Sequence, residues 1–341
     1  MTTITDNDNA YDVVTFGETM LRLSPPGYQK LDQAQSVDIH VGGSESNVAV
    51  GLSRLGLRTA WFSALTDNGL GRYIEAKIAA QDVDTSHVIW MQSGRVGTYW
   101  IEQAVPPRSP KVIYDRSYTA ISQIEPEHLP DALFQPGRAH LLHVSGITPA
   151  LSPSAAETTL VAVERAKAAG WKISFDINYR ARLWDAPSAR RWCEQLMRHA
   201  DVIFSPFRDV QHLFADDVPA AQTASKTLSQ FHARYPGAVL IFTVGSDGAI
   251  ACDTDGQQVS ASGHDATPWD RIGAGDAFVA AVLSQIVSSW KAGQSLDLQK
   301  ALRWGNAAAA LKYTIPGDFP LISAEEVETL AEESAKRQID R

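Results

Sequence analysis

Short runs of β-branched and aromatic residues alternate along this chain with longer segments in which apolar residues recur at helical spacing. The short runs predict six strands, at residues 12–16, 60–65, 139–144, 173–176, 202–204 and 238–244. One of the longer segments, 153–169, is typical of a helix, with Ser152 as its N-cap, Pro153 in its first turn and Gly170 at its end. This alternation predicts an α/β fold with a mostly parallel central sheet and helices on both of its faces.

Two segments, 21–41 and 98–120, carry strand-forming residues with no helix between them. In the second segment, the proline-rich residues 106–110 separate an alternating run that contains Tyr99 from one that contains Tyr114. We interpret both segments as one small antiparallel sheet that projects from the main domain. The alternative is an ordinary excursion of strands at the edge of the central sheet.

The length of 341 residues and the 44% share of hydrophobic residues are sufficient for one large core. Neither an internal repeat nor a clear linker divides the chain, and Ser323 and Glu326 have the spacing of a capping box at a last helix. Residues 1–11 are polar and acidic, which differs from a signal peptide and predicts a disordered tail. We therefore expect one domain over residues 12–335.

The net charge of −9 argues against nucleic acid or an anionic membrane as the main partner. It also means that an anionic substrate would need a local cluster of arginines. The two cysteines, Cys193 and Cys252, are isolated, which fits a reducing cytoplasm and gives no metal-binding spacing. No apolar run approaches the length of a membrane span, so we expect a cytoplasmic protein.

The most informative stretch is 270–278, where three small residues, Gly273, Ala274 and Gly275, precede the carboxylate of Asp276. The apolar residues that follow share one helical face: Phe278, Val282, Leu283 and Ile286. The small residues therefore stand at a helix N-terminus, where unpaired backbone N–H groups and the helix dipole favour an anion. A carboxylate beside such a site is suited to take a proton from a hydroxyl that attacks a phosphoryl group. The alternative is that Asp276 only caps the helix.

Two common phosphate-binding motifs are excluded by the residues present. A dinucleotide fingerprint would require a third glycine at position 278, which is Phe278. A Walker-type loop requires the dipeptide Gly-Lys, which the chain lacks. A late phosphate-handling loop without a Walker lysine belongs to a narrow class of α/β proteins.

A second glycine-rich stretch, 42–49, leads into a helical pattern that ends at Gly56, and residues 67–71 follow the next strand-like run. Together with the loop at 273–276, these stretches resemble the two signatures of the ribokinase-like (PfkB) carbohydrate kinases. The resemblance extends from about Asp12 to Leu330. Within the family, three stretches are most similar to 2-keto-3-deoxygluconate kinases: 17–25, 145–152 and 176–180.

The resemblance implies a three-layer fold with a small β-sheet lid over the sugar, and the lid is often a dimer contact, so we expect a homo-oligomer. It also implies that Asp276 is the general base and that the amides of 273–276 form an anion hole. ATP, with Mg²⁺, would be bound by Asn178, Thr243, Gly245, Gly248 and Asn306. The alternatives are an ordinary turn for the loop 243–248 and a helix cap for Asn306.

On the substrate side, eight residues match positions that line the sugar pocket: Gly43, Asn47, Tyr99, Tyr114, Arg116, Ile147, Arg180 and Asp318. Two arginines in one pocket of an acidic protein indicate an anionic substrate, because a guanidinium fits a carboxylate with two hydrogen bonds. The alternative for Tyr99 and Tyr114 is packing within the lid.

Two departures from the family pattern affect the ions. Arg271 stands where the family has threonine, beside Asp270 and a monovalent-cation site, which puts that cation requirement in doubt. Arg271 could neutralise phosphate charge or could be a solvated side chain. Pro206 replaces a family asparagine that helps to order magnesium, and Asp209 takes the position of a family glutamate. Mg²⁺ would therefore be held mainly by ATP and water, with Asp209 acting through water.

The reaction that these residues favour is transfer of phosphate from Mg-ATP to the 6-hydroxyl of 2-keto-3-deoxygluconate, with the galactonate epimer as a further substrate. One alternative is the same chemistry on a neutral sugar such as fructose or ribose. A second is a sugar- or nucleotide-binding regulator that has lost turnover, although the intact loop at 273–276 argues against it.

Overall fold

A computed structural model of the chain describes residues 10–339, with side chains described through Glu333. Within this range the strands are β1 (Tyr11–Phe16), β2 (Met20–Ser24), β3 (Asp38–Gly42), β4 (Thr59–Phe62), β5 (Ala64–Thr66), β6 (Val83–Asp84), β7 (Ile89–Met91), β8 (Thr98–Glu102), β9 (Lys111–Asp115), β10 (Ala139–Ser145), β11 (Lys172–Asp176), β12 (Val202–Pro206), β13 (Val239–Thr243), β14 (Ala249–Cys252) and β15 (Gln258–Ala261). The helices are α1 (Ser44–Arg54), α2 (Gly69–Ala79), α3 (Pro153–Ala168), α4 (Ala186–Met197), α5 (Phe207–Leu213), α6 (Ala224–Arg234), α7 (Ala274–Ala292), α8 (Leu298–Tyr313) and α9 (Ala324–Ile339).

The central sheet has nine strands in the order β15-β14-β13-β12-β11-β10-β1-β4-β6. Every pair from β13 to β6 is parallel, and β14 and β15 are antiparallel additions at one edge. The prediction of a mostly parallel sheet is therefore confirmed.

Helices cover both faces of this sheet, because its strands are apolar on both sides. Val13 and Val14 are adjacent in β1 and fully buried, yet they belong to different core clusters. Val14 packs in the cluster with α3, α4, α5 and α6, whereas Val13 packs in the cluster with α1, α7 and α8. The molecule therefore has three layers.

A second, small sheet has the strand order β3-β2-β8-β9 and contains both segments that were predicted to project from the main domain. The outer pairs, β2 with β3 and β8 with β9, are antiparallel, but the central pair β2 and β8 is parallel. The prediction of a purely antiparallel sheet was wrong. Each segment leaves the main domain through its first strand and returns through its second, so the two outgoing strands lie side by side in one direction.

The local predictions hold with small corrections. The first strand begins at Tyr11, which is buried, so the predicted tail ends earlier; its residues 1–9 lie outside the described part of the chain. The strand predicted at 60–65 is divided at Ser63, since β5 pairs with β7 in a separate two-stranded sheet. Ser152 caps α3, Gly170 takes a left-handed φ of 83°, and Ser323 and Glu326 form the capping box.

No helix within residues 10–339 combines the length and the apolar character that a membrane span requires.

Candidate active site

The parallel strands β10 to β13 all end on the same side of the central sheet. Ligands of open α/β sheets bind beyond these carboxyl ends. Two adjoining clefts open there. The large cleft has a volume of about 510 Å³ and is lined by Thr243 at the end of β13. The small cleft has a volume of about 350 Å³ and is lined by Asp176 at the end of β11 and Pro206 at the end of β12. Both clefts reach the first turn of α7.

The first turn of α7 has the geometry that the small residues predicted. Gly273 is the N-cap with a left-handed φ of 81°, and a Cβ atom there would lie 2.1 Å from the carbonyl oxygen of Asp318. The position therefore requires glycine. The first helical hydrogen bond runs from the amide of Ala277 to the carbonyl of Gly273. The amides of Ala274, Gly275 and Asp276 precede it and are available to an anion.

Asp276 is not the helix cap, so that alternative is wrong. Its carboxylate instead accepts hydrogen bonds from two residues of α1, Ser44 Oγ at 2.8 Å and Asn47 Nδ2 at 2.7 Å. Burial raises the pKa of the Asp276 carboxyl, while the donors Asn47 and Ser44 and the charge of Arg180 oppose this rise. Asp276 is thus a partly buried carboxylate held in a fixed orientation by two donors. Ser44 was not recognised from the sequence.

Four of the five residues predicted to bind ATP line the large cleft: Thr243, Gly245, Gly248 and Asn306. Gly245 and Gly248 have left-handed φ values of 66° and 95°, and a Cβ atom on Gly248 would lie 2.2 Å from the carbonyl oxygen of Ala261. The loop is therefore a tight turn that also forms a wall of the cleft. Asn306 lies within α8 rather than at its end, so the capping alternative is wrong; its amide donates to the carbonyl groups of Ala261 and Ser262.

Asn178, the fifth residue predicted to bind ATP, lies in the other cleft. It lines the small cleft and is absent from the residues that line the large one. Its Nδ2 donates to Ser44 Oγ at 3.0 Å, and Ser44 in turn donates to Asp276. Asn178 also takes a φ of 39°, unusual for a residue other than glycine. It therefore supports the orientation of Asp276 and does not contact the expected nucleotide side.

All eight residues predicted for the sugar pocket line the small cleft together with Asp276: Gly43, Asn47, Tyr99, Tyr114, Arg116, Ile147, Arg180 and Asp318. Tyr99 and Tyr114 are cross-strand neighbours in β8 and β9, and their rings stack with centroids 5.8 Å apart. The two tyrosines thus both pack against each other and form a wall of the cleft.

The two arginines of the small cleft differ in their charge balance. Arg116 forms an ion pair with Glu18, whose other carboxylate oxygen accepts from Thr119. Burial raises the pKa of Glu18, and the charge of Arg116 opposes that rise. Arg180 is exposed, and its side chain makes no hydrogen bond or ion pair within residues 10–333. Arg180 therefore offers the charge that an anionic ligand would need, whereas Arg116 is already balanced by a residue that sequence reasoning missed.

Asp318 is held by other side chains instead of pointing freely at a ligand. It accepts hydrogen bonds from the Tyr99 hydroxyl and from Arg22 Nη1, and the same Arg22 nitrogen lies 2.7 Å from Asp270 Oδ2. Lys312 is fully buried beside this group and donates to the carbonyl oxygen of Ile315 at 2.9 Å. Burial lowers the pKa of Lys312, and the nearby carboxylates oppose this change. We call Arg22, Lys312, Asp270 and Asp318 the buried charge cluster; neither of its cations was recognised from the sequence.

Two further carboxylates lie near Asp276. Burial, and then the charges of Asp276 and Asp209, raise the pKa of Asp176 well above its ordinary value. Asp209, in the first turn of α5, accepts a hydrogen bond from the amide of Tyr179 at 3.2 Å. In the part of the chain that the structure describes, no group of three or more His, Cys, Asp or Glu side chains could hold a metal ion. A divalent cation here would need ligands from a bound substrate.

An anion-binding helix start and an oriented carboxylate, placed between a large cleft and a small polar one, define a phosphotransferase that acts on a small hydroxylated molecule. The chain matches the model of the pfkB family carbohydrate kinases over residues 10–320. It therefore belongs to the pfkB family of carbohydrate kinases.

Three relatives are informative. A 2-dehydro-3-deoxygalactonokinase of Haloferax volcanii is 38% identical, over 93% of this chain and 95% of that protein. A 2-dehydro-3-deoxygluconokinase of Bacillus subtilis is 30% identical, over 90% of this chain and 91% of that protein. The crystal structure of a 2-dehydro-3-deoxygluconokinase from Thermotoga maritima is similar with a TM-score of 0.86 and 32% identity, covering 95% of this chain and 98% of that one.

Proposed function

We propose that this kinase transfers the γ-phosphoryl group of Mg-ATP to the 6-hydroxyl of 2-keto-3-deoxygluconate (2-dehydro-3-deoxygluconate) and also accepts the galactonate epimer. The observation that carries the proposal is the unpaired Arg180 in the same cleft as the oriented carboxylate of Asp276. The relative named for the galactonate epimer is similar over 93% of this chain, and the one named for the gluconate epimer over 90%. Both similarities support the same substrate class.

The chemistry follows from the geometry around α7. Asp276, oriented by Ser44 and Asn47, accepts the proton of the sugar hydroxyl. The hydroxyl oxygen then bonds to the γ-phosphorus while the bond to the leaving ADP oxygen breaks. The amides of Ala274 and Gly275 donate hydrogen bonds to the equatorial oxygens of the phosphoryl group in transfer. Since the helix fixes these amides before the reaction begins, they stabilise the transition state without reorganising.

Recognition of the acid would depend on the arginines of the small cleft. Arg180 pairs with the substrate carboxylate. Arg116 contributes a hydrogen bond instead of net charge, since Glu18 balances it and its Nε–H is buried without a partner among the described residues. Leaving that N–H unpaired would be costly, so a ligand oxygen there would be stabilising. Asn47 and Asn178 provide amide groups near the sugar hydroxyls.

ATP fits the large cleft, with its phosphates directed to the start of α7, which both clefts share. Magnesium commonly takes one or two carboxylates together with phosphate oxygens and water. Asp176 and Asp209 could supply these carboxylates, although among the described residues they belong to no group of three or more side chains that could hold a metal ion. When bound, magnesium would neutralise phosphate charge. Such a reaction belongs in the cytoplasm, where ATP is available.

The proposal is tested by measuring ATP consumption with purified enzyme against 2-keto-3-deoxygluconate, its galactonate epimer, fructose and ribose. We expect turnover with both acids, and a product whose phosphate is on carbon 6 by phosphorus–proton correlation NMR. Turnover with neutral sugars alone would contradict the sugar-acid substrate but would leave the kinase activity supported. No turnover with any sugar, combined with sugar binding by calorimetry, would support the regulator instead.

A further inference from the structure

The large and small clefts have three lining residues in common: Arg208, Arg271 and Gly275. Gly275 contributes a free amide from the first turn of α7. Arg208 comes from the first turn of α5, and Arg271 comes from the loop that leads to α7. A group that moves from one cleft to the other therefore passes the residues that border both.

Both guanidinium groups are available to a ligand. The Arg208 side chain is 83% exposed, and its Nε forms an ion pair with Asp209 Oδ1 at 3.5 Å, at the protein surface. Arg271 is exposed and makes no hydrogen bond or ion pair within residues 10–333. By contrast, the side chains of Arg22 and Arg116 in the same region are buried or nearly buried in their ion pairs with carboxylates.

The charges around this junction are mainly negative without the two arginines. Burial, and then the charges of Asp276 and Asp209, raise the pKa of Asp176, while the charge of Arg180 offsets part of this rise. A phosphoryl group in transfer carries several negative charges on its oxygens and would be repelled by these carboxylates. The two exposed guanidinium groups would offset that repulsion, because each presents a planar set of donors that matches phosphate geometry.

We propose that Arg208 and Arg271 are catalytic residues that bind the phosphoryl group from two sides as it moves from ATP to the sugar. This role presupposes the kinase reaction proposed above. The bond from the γ-phosphorus to ADP breaks and the bond to the sugar oxygen forms, while both arginines keep their protons and donate hydrogen bonds to the equatorial oxygens. Since charge accumulates there in the transition state, the arginines act on kcat more than on sugar binding.

The test compares Arg208→Gln, Arg271→Gln and the double variant with the parent enzyme. Arg191→Gln is the matched control, because Arg191 is an exposed arginine of α4 outside both clefts. We expect each substitution in the junction to lower kcat by about 10–150-fold with little change in the KM of the sugar, as expected for a lost charged hydrogen bond. Added guanidinium ion should restore part of the rate in an Arg271→Ala variant.

A binding measurement separates the transition state from the ground state. The affinity for ADP with magnesium and aluminium fluoride, a mimic of the group in transfer, should fall in the double variant, while the affinity for ADP alone stays near that of the parent. A double variant with kcat within about threefold of the parent would overturn the role of the arginines. An equal loss of affinity for ADP alone and for the mimic would also overturn this role, since it would indicate that the arginines only bind the nucleotide. A parent enzyme without turnover on any sugar would overturn both this role and the proposed function.

Discussion

At the scale of the residue, the chemistry depends on Asp276 and on the two side chains of α1 that orient it. The Asp276→Asn substitution keeps the shape and the hydrogen-bond partners but removes the proton acceptor. We expect kcat to fall by about 10²–10⁴-fold, as for loss of a positioned general base, with ATP affinity nearly unchanged. Steady-state kinetics and calorimetry check this, and near-normal turnover would reject Asp276 as the base.

The pH dependence of kcat follows from the same residue. The base must be ionised, and the pKa of Asp276 is raised above the ordinary 3.8, so activity should be lost with falling pH earlier than for an ordinary aspartate. Ser44→Ala removes a donor that lowers this pKa and should move the acid limb to higher pH. Glu45, whose pKa burial raises to about 7, could titrate in the same range. The Glu45→Gln variant should retain the acid limb if Asp276 causes it.

At the scale of the element, the buried charge cluster joins three parts of the fold. Arg22 belongs to β2 and Lys312 to α8, while Asp270 and Asp318 lie in the loops before α7 and after α8. The cluster therefore fixes the small sheet and the start of α7 relative to each other. The Cε of Lys312 would lie 3.3 Å from a Cβ on Gly273, which places the lysine directly beneath the anion-binding turn.

Loss of one cation from this cluster should be strongly destabilising. Lys312→Met leaves two buried carboxylates with Arg22 alone, and we expect the free energy of unfolding to fall by about 3–5 kcal/mol. Lys300→Met, which removes a partly exposed ion pair with Glu328, should cost at most about 1 kcal/mol. Urea denaturation compares the two. Equal stability of both variants would show that the buried ammonium has no such role.

At the scale of the whole molecule, the small sheet presents one face to the clefts and carries an apolar row on its opposite face. The register aligns Ile39, Leu23, Trp100 and Ile113 in one row, whereas Tyr99 and Tyr114 belong to the row that faces the small cleft. Ile39 and Ile113 are 49% and 53% exposed. An apolar row of this kind on a projecting sheet is suited to pairing with a second copy of the chain.

We therefore expect a homo-oligomer that associates through the small sheet. The double substitution Ile39→Glu with Ile113→Glu should shift the enzyme to monomers, because charges would be buried in the contact. Leu70→Glu, at an equally exposed leucine of α2, should leave the assembly intact. Sedimentation velocity measures both. A parent enzyme that sediments as a monomer would contradict the prediction.

How far the sequence could predict this molecule depends on the range of the interactions involved. Ser152, Gly273 and the apolar face of α7 were predictable because caps, turns and helical faces depend on residues a few positions apart. The ion pair between Arg22 and Asp318 joins residues 296 positions apart, and that between Arg116 and Glu18 joins residues 98 apart. Such pairs leave no local pattern, and neither does the parallel pairing of β2 with β8. The position of Asn178 was missed for the same reason.

The central claim, a kinase for a sugar acid, is tested most directly by kcat/KM for 2-keto-3-deoxygluconate and for fructose in the parent and in Arg180→Ala. A carboxylate paired with arginine is worth about 1.5–3 kcal/mol. The kcat/KM for the acid should therefore exceed that for fructose by about 10–150-fold or more. Arg180→Ala should remove much of that preference. Arg182→Ala, at an exposed neighbour outside both clefts, should retain it. A parent enzyme that prefers fructose, with Arg180→Ala nearly silent, would contradict the sugar-acid assignment.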